Sequence, residues 1–163
     1  MPQHLLIVFT ECVPGREAAF NLWYDDVHIP RMLGIPGFLA ARRFALGDAG
    51  NAPPPGRFLA LIELGGETPE PALQARRDRR GSVPISEALV STKAWVYSAI
   101  EPVYGGEAAG SLRLSFAARA TPGSAVFSPH QLGDQPPPGR YVSFGTGGWR
   151  FDPLGPRRVG TGK

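Results

Sequence analysis

Apolar positions along the first two-thirds of the chain change period in a regular way. From His4 to Thr10 the chain is almost unbroken apolar with β-branched residues, which predicts a buried strand. Val13-Pro14-Gly15 reads as a turn, and Arg16 to His28 has helical spacing. At about 100° per residue, Ala19, Phe20, Trp23 and Val27 form an apolar stripe. Asn21, Asp25 and His28 form a polar row beside it, with Tyr24 on the border. Pro30 biases Ile29 away from helical dihedrals, so this helix should close near His28. Ile35-Pro36-Gly37-Phe38 then turns the chain into a second strand, Phe38 to Leu46, followed by a Pro-rich loop from Gly47 to Gly56. Arg57 to Leu64 reads as a third strand. Pro69 to Arg80 reads as a helix with Thr68 as N-cap and Pro69 at its first position. Ser86 to Ser91 allows one more turn, and Lys93 to Tyr104 alternates as a fourth strand.

Beyond Tyr104 the pattern weakens. Residues 105–163 hold 12 of the 21 glycines and show no convincing helix. Leu112 to Ala118, Ala125 to Ser128 and Tyr141 to Phe144 are short strand candidates. Gly145-Thr146-Gly147-Gly148 would turn a hairpin into Trp149-Arg150-Phe151, and the chain from Gly155 is expected to be mobile. Ala94-Trp95-Val96-Tyr97 with Glu101-Pro102 is faintly echoed by Gly148-Trp149-Arg150-Phe151 with Asp152-Pro153, as a degenerate second repeat would be. The division expected is therefore a domain over 1–104 and an irregular, hairpin-bearing extension over 105–163.

Composition narrows the classes. At 163 residues and 42% apolar content the chain can bury a real core. The formal charge of +3 is mild, and Arg76-Arg77-Asp78-Arg79-Arg80 has no interleaved aromatics. That cluster reads as a solvated helix face, and no nucleic-acid partner is expected. The apolar run near Met1 is too short to span a bilayer, so no membrane is expected. Cys12 is the single cysteine, which makes a reducing cytoplasm the default expectation. His4, His28 and His130 form no recognised ligand spacing, and Gly145-x-Gly147-Gly148 is no phosphate loop, so no metal or cofactor is expected.

The element order is βαββαβ, the ferredoxin-like α+β plan. On it, Asn21-x-Trp23-Tyr24-Asp25-x-x-His28-x-Pro30, then Pro36-Gly37-Phe38 and Ala41-x-Arg43-Phe44, resembles the EthD-like group of the dimeric α/β-barrel superfamily. That resemblance covers about residues 4–104. It implies a homodimer with paired sheets around a cavity. It also implies cofactor-free chemistry of lyase, decarboxylase or cyclase type on a small hydrophobic, aromatic or polyketide-like carbonyl compound. A cofactor-independent monooxygenase and a non-catalytic dimerisation or ligand-binding module are the alternatives.

Within the motif, His28 is the candidate general acid or base. A helix C-terminus and Asp25 one turn earlier would both favour its imidazolium, although the same residue could simply cap the helix. Tyr24 could donate to an oxyanion or merely pack, and Asp25 could orient His28 or be solvated. Trp23 and Asn21 are candidate substrate contacts, with core packing the commoner role for Trp23. Arg42 and Arg43 point to opposite faces of their strand. Arg43 would hold either a substrate anion or Glu63. Trp95 and Tyr97 share one strand face as walls of a cavity or core. His4 is expected to be solvated.

Overall fold

The computed structural model describes residues 2–79, 81, 85–106, 110–129, 135–145 and 147–160. Three α-helices, one π-helical turn and nine strands follow one another in these residues. They are β1 (Gln3–Cys12), α1 (Glu17–Trp23), a π-helical turn (Tyr24–His28), α2 (Ile29–Leu33), β2 (Phe38–Asp48), β3 (Phe58–Leu64), α3 (Glu70–Asp78) and β4 (Leu89–Ala99). Then come β5 (Leu112–Ala117), β6 (Ala125–Ser128), β7 (Tyr141–Phe144), β8 (Trp149–Pro153) and the short β9 (Arg158–Val159).

All strands pair antiparallel, and eight of them close on themselves in the order β3-β1-β4-β6-β7-β5-β8-β2, with β2 returning to β3. This closed β-barrel replaces the expected ferredoxin-like α+β sandwich, and with it the dimeric α/β barrel. The strands that close it are β5 to β8, supplied by the region read as an irregular extension. Residues Val96–Ser98 of β4 pair with Val126–Ser128 of β6, and Phe44–Asp48 of β2 pair with Arg150–Pro153 of β8. No partner strand is needed for closure. Short strands of alternating pattern reveal which face is buried, but not which distant strand they pair with.

Side-chain alternation divides the apolar residues between two cores. Leu5, Ile7, Phe9, Phe44, Leu59, Leu61, Trp95, Tyr97, Leu114, Val142 and Phe151 fill the barrel interior. Phe9 lies at its centre, with the rings of Trp95, Phe116, Trp149 and Phe151 all 6.1–6.3 Å from its own. Leu6, Val8, Ala41, Ala60, Ile62 and Val96 point outward instead, where Phe20, Tyr24, Ile29, Met32, Leu33 and Leu73 of the helices cover them. The uninterrupted apolar run of β1 thus reflects burial on both faces.

Several local expectations are corrected. Pro30 does not end the helix. Proline cannot donate to the carbonyl four residues back and crowds it. The chain responds by widening one turn, so that the Ile29 amide bonds the Tyr24 carbonyl, five residues earlier, and Pro30 is accommodated in the first turn of α2. The Thr68 cap is not made, since Pro69 occupies the N-cap position without a side-chain bond. The segment 87–88 is a turn and β4 begins at Leu89. Strands β7 and β8 do not form a hairpin, because each pairs with an opposite edge of β5. Nor is the segment from Gly155 to Gly160 loose; residues 161–163 lie outside the described residues. Arg158 and Val159 pair with Ala41 and Ala40, and the Gly160 amide bonds the Leu39 carbonyl at 2.7 Å. Gly37 has φ +89°, and a Cβ there would lie 2.7 Å from that of Ala72, so the turn into β2 presses directly on α3. Among the described residues no helix is long and apolar enough to cross a membrane.

Candidate functional site

Where the helices stand off the outer face of the sheet they leave a cavity of about 490 Å³. Its floor is Leu6, Val8 and Thr10 of β1, Ile62 of β3 and Ala94 of β4. Its walls are Trp23, Tyr24, His28 and Met32 from the helical run, and Arg76 and Arg79 from the end of α3. The hollow is therefore outside the barrel, roofed by α1, the π turn, α2 and α3.

His28, the last residue of the π turn, lies between two aromatic rings. Trp23 stacks on it with centroids 4.9 Å apart and planes 25° apart, and Tyr24 meets it edge-on at 4.8 Å. Its Nδ1 is buried and has no hydrogen-bond partner. Burial, followed by the charges of Arg76 and Arg43, pushes its pKa down to about 4. The imidazole is thus neutral at physiological pH, the reverse of the imidazolium expected from a helix end. The cause is local: the helix continues through His28 into α2, so no C-terminal carbonyls gather there, and Asp25 is turned away from the ring. Tyr24 is 2% exposed, and burial raises its phenol to about 12, which keeps it a donor.

Asp25 instead meets Arg43, whose Nη1 donates to its Oδ1 at 3.1 Å, while Nη2 donates to Asn21 Oδ1 at 2.9 Å. The Arg43 guanidinium also lies 4.2 Å from the Tyr24 ring centroid, behind the face that lines the cavity. Arg43, Asp25 and Asn21 thus form a buttress one layer behind the cavity. None of the three lines it. Glu63 is not the partner of Arg43 either, for it is held by Arg157 at 2.7 and 3.1 Å.

Trp95 and Tyr97 fall on the other face of β4, inside the barrel. Trp95 Nε1 donates to the Gln135 carbonyl at 3.1 Å and the Tyr97 hydroxyl to that of Gly139 at 2.6 Å. They are walls of the interior, not of the cavity. His4 is buried and bonded to Ser98 Oγ at 2.7 Å, with its other nitrogen 3.2 Å from the carbonyls of Gly66 and Glu67. Cys12 is buried, and burial raises its thiol pKa. His130 lies outside the described residues. No group of three or more His, Cys, Asp or Glu suited to a metal occurs among the described residues.

The arginines of α3 were hidden in a run that looks like a solvated face. Arg77 fits that description, bonded to Glu70 and Gln74 on the outside. Arg76 does not. Its spacing of three and four residues from the buried Leu73 and Ala72 places it on the inner face, and this was the available signal. One further residue acts on the site from far along the chain. Arg158 Nη1 donates to the Asp25 carbonyl within the π turn at 2.5 Å.

No protein-family model, no curated protein and no solved structure matches this chain. With the barrel closed inside a single chain, the resemblance to the EthD-like group is withdrawn.

Proposed function

We propose that the protein is an enzyme that moves protons on a small apolar carbonyl compound, aromatic or polyketide-like, held in the cavity beneath the helices. The observation that carries this reading is the neutral His28 imidazole, set between Trp23 and Tyr24 at an apolar-walled hollow. In such a step the imidazole accepts the proton from the carbon next to the carbonyl, and the electron pair left behind delocalises onto the oxygen as an enolate. The protonated Tyr24 phenol, lining the same cavity, would donate a hydrogen bond to that oxygen. Return of the proton to a carbon completes an isomerisation. Attack of the enolate carbon on a second carbonyl of the same molecule, whose oxygen then takes the proton from His28, completes a cyclisation. Loss of carbon dioxide in place of the first proton, followed by protonation of the enolate carbon, completes a decarboxylation.

A second reading, binding without catalysis, is favoured by one feature. Among the described residues His28 has no carboxylate to orient it, because Asp25 is committed to Arg43. Proton–deuterium exchange separates the two. A panel of aryl ketones and aryl keto acids in deuterated buffer should include members whose α-protons exchange faster with the protein than without it. His28→Gln should slow that exchange by about a hundredfold or more. If no member exchanges above the buffer rate, or if folded His28→Gln matches the wild type, the binding-only reading replaces the enzymatic one.

A further inference from the structure

The side chains around the cavity carry charge of one sign. Arg31, Arg76 and Arg79 line it, and no aspartate or glutamate does among the described residues. Their depth differs in a useful way. Arg31 and Arg79 are exposed at the margin, whereas Arg76 is half-buried. Arg76 is also close enough to act on the His28 imidazole and the Tyr24 phenol. Apart from Thr10, the floor named above is apolar. A positive rim over an apolar floor selects a molecule with a negative end and a flat or aliphatic body. Arg43, the arginine expected to hold such a charge, is committed to Asp25 and Asn21 beneath the Tyr24 ring. Among the arginines that line the cavity, Arg76 is the one set deepest, beside His28 and Tyr24, and the charge recognition is placed there for that reason.

We propose that the cavity takes an apolar carboxylate, its body on Leu6, Val8, Ile62 and Ala94 and its carboxylate beside Arg76 under the rim arginines. This names the substrate class for the proton-transfer reading and rests on that reading for what the anion does once bound. The carboxylate would offset the cationic field of Arg76 and Arg43 at His28, so the imidazole becomes a stronger base when the ligand is in place. An uncharged analogue of the same shape would fill the cavity without that effect.

The test is a binding measurement, so the two ideas fail separately. Calorimetric titration of the whole chain with 2-naphthoate and with 2-naphthamide should show the acid binding at least tenfold tighter. The gap should narrow with added sodium chloride. Arg76→Gln should abolish the gap, and Arg76→Lys should retain most of it, with unchanged far-ultraviolet circular dichroism confirming both folds. In the wild type, the His28 ring resonances should titrate at higher pH with naphthoate bound than without, and naphthamide should cause no such change. Equal affinity for acid and amide, a gap that survives in Arg76→Gln, or no binding of either probe overturns the inference. A naphthoate preference that persists while His28→Gln exchanges substrate protons like wild type supports the inference and sinks the enzymatic reading. Loss of exchange in His28→Gln with acid and amide bound equally does the reverse.

Discussion

Strands β1 to β4 and strands β5 to β8 contribute equally to the barrel and in the same internal order, β2-β3-β1-β4 on one side and β6-β7-β5-β8 on the other. They differ in what lies outside them. The first set has helices on its outer face, so its strands are apolar on both sides, as Leu5 to Phe9 show. The second set has no helix among its described residues, and its outward positions, Arg113, Ser115, Val126, Tyr141, Ser143, Arg150 and Asp152, are all at least partly open to water. Inward, Leu114, Val142 and Phe151 meet the interior of the first set. The comparison teaches where the chemistry can be. The hollow that holds His28 arises beneath a second layer that does not fully settle on the sheet, and among the described residues only the first set has such a layer. A further hollow of about 440 Å³, between Arg42, Tyr104, Leu112, Phe144 and Arg150, has no helix over it among the described residues. The second set is a wall.

That division can be broken most severely at Phe151, which is fully buried inside the wall. Phe151→Ala should lower stability by about 3–5 kcal/mol, read by urea unfolding, while the residual folded protein keeps the His28 titration of the wild type. A shifted titration would show that wall and layer are one mechanical unit.

Next in size is the pH response of the layered side. The folded pKa of His28, about 4, lies below its ordinary value of 6.5. The unfolded chain therefore takes up a proton that the folded chain refuses, and stability is lost as pH falls from 6.5 toward 4. The slope approaches about 1.4 kcal/mol per pH unit, with a total of no more than roughly 3 kcal/mol. In His28→Gln that component should vanish, and equal acid sensitivity of mutant and wild type would refute the buried neutral imidazole.

A smaller effect is expected at Gly37, where positive φ and contact with Ala72 fix the seat of α3. Gly37→Ala should cost about 1–2 kcal/mol from the dihedral alone, and should loosen the cavity roof, seen as weaker 2-naphthoate binding. Smallest of all is Arg158→Ala, because its guanidinium is largely exposed. Global stability should change by under about 1 kcal/mol. Amide exchange across Tyr24–Ile29 should nonetheless quicken, since the Asp25 carbonyl loses its donor.

How far this arrangement could be read from the sequence depends on the range of the interactions involved. The two-sided burial of β1 and the alternating pattern of β5 to β8 are local properties, and both were visible as strands. The ring closure of β4 to β6 and β8 to β2 is non-local and has no periodic signature. The weak echo of Trp95 and Tyr97 by Trp149 and Phe151 falls on β4 and β8, the last strand of each set. At the site, His28, Tyr24 and Trp23 were found because an aromatic and imidazole cluster one turn apart is conspicuous. The charge state of His28 is the reverse of what the sequence suggests, because the helix that meets Pro30 widens by one residue and does not end there. Arg76 does not stand out because four arginines within five residues conceal which one turns inward.

Closure also sets an order of events on the ribosome. The pairing of Phe44 with Pro153, and of Ala40 with Val159, joins positions more than a hundred residues apart. Until that late segment emerges, the free edge of β2 stands open to any strand nearby, as does that of β4 until β6 is made. Slow translation of the middle of the message would lengthen this vulnerable interval. The π turn that carries His28 would gain the support of Arg158 only at its end.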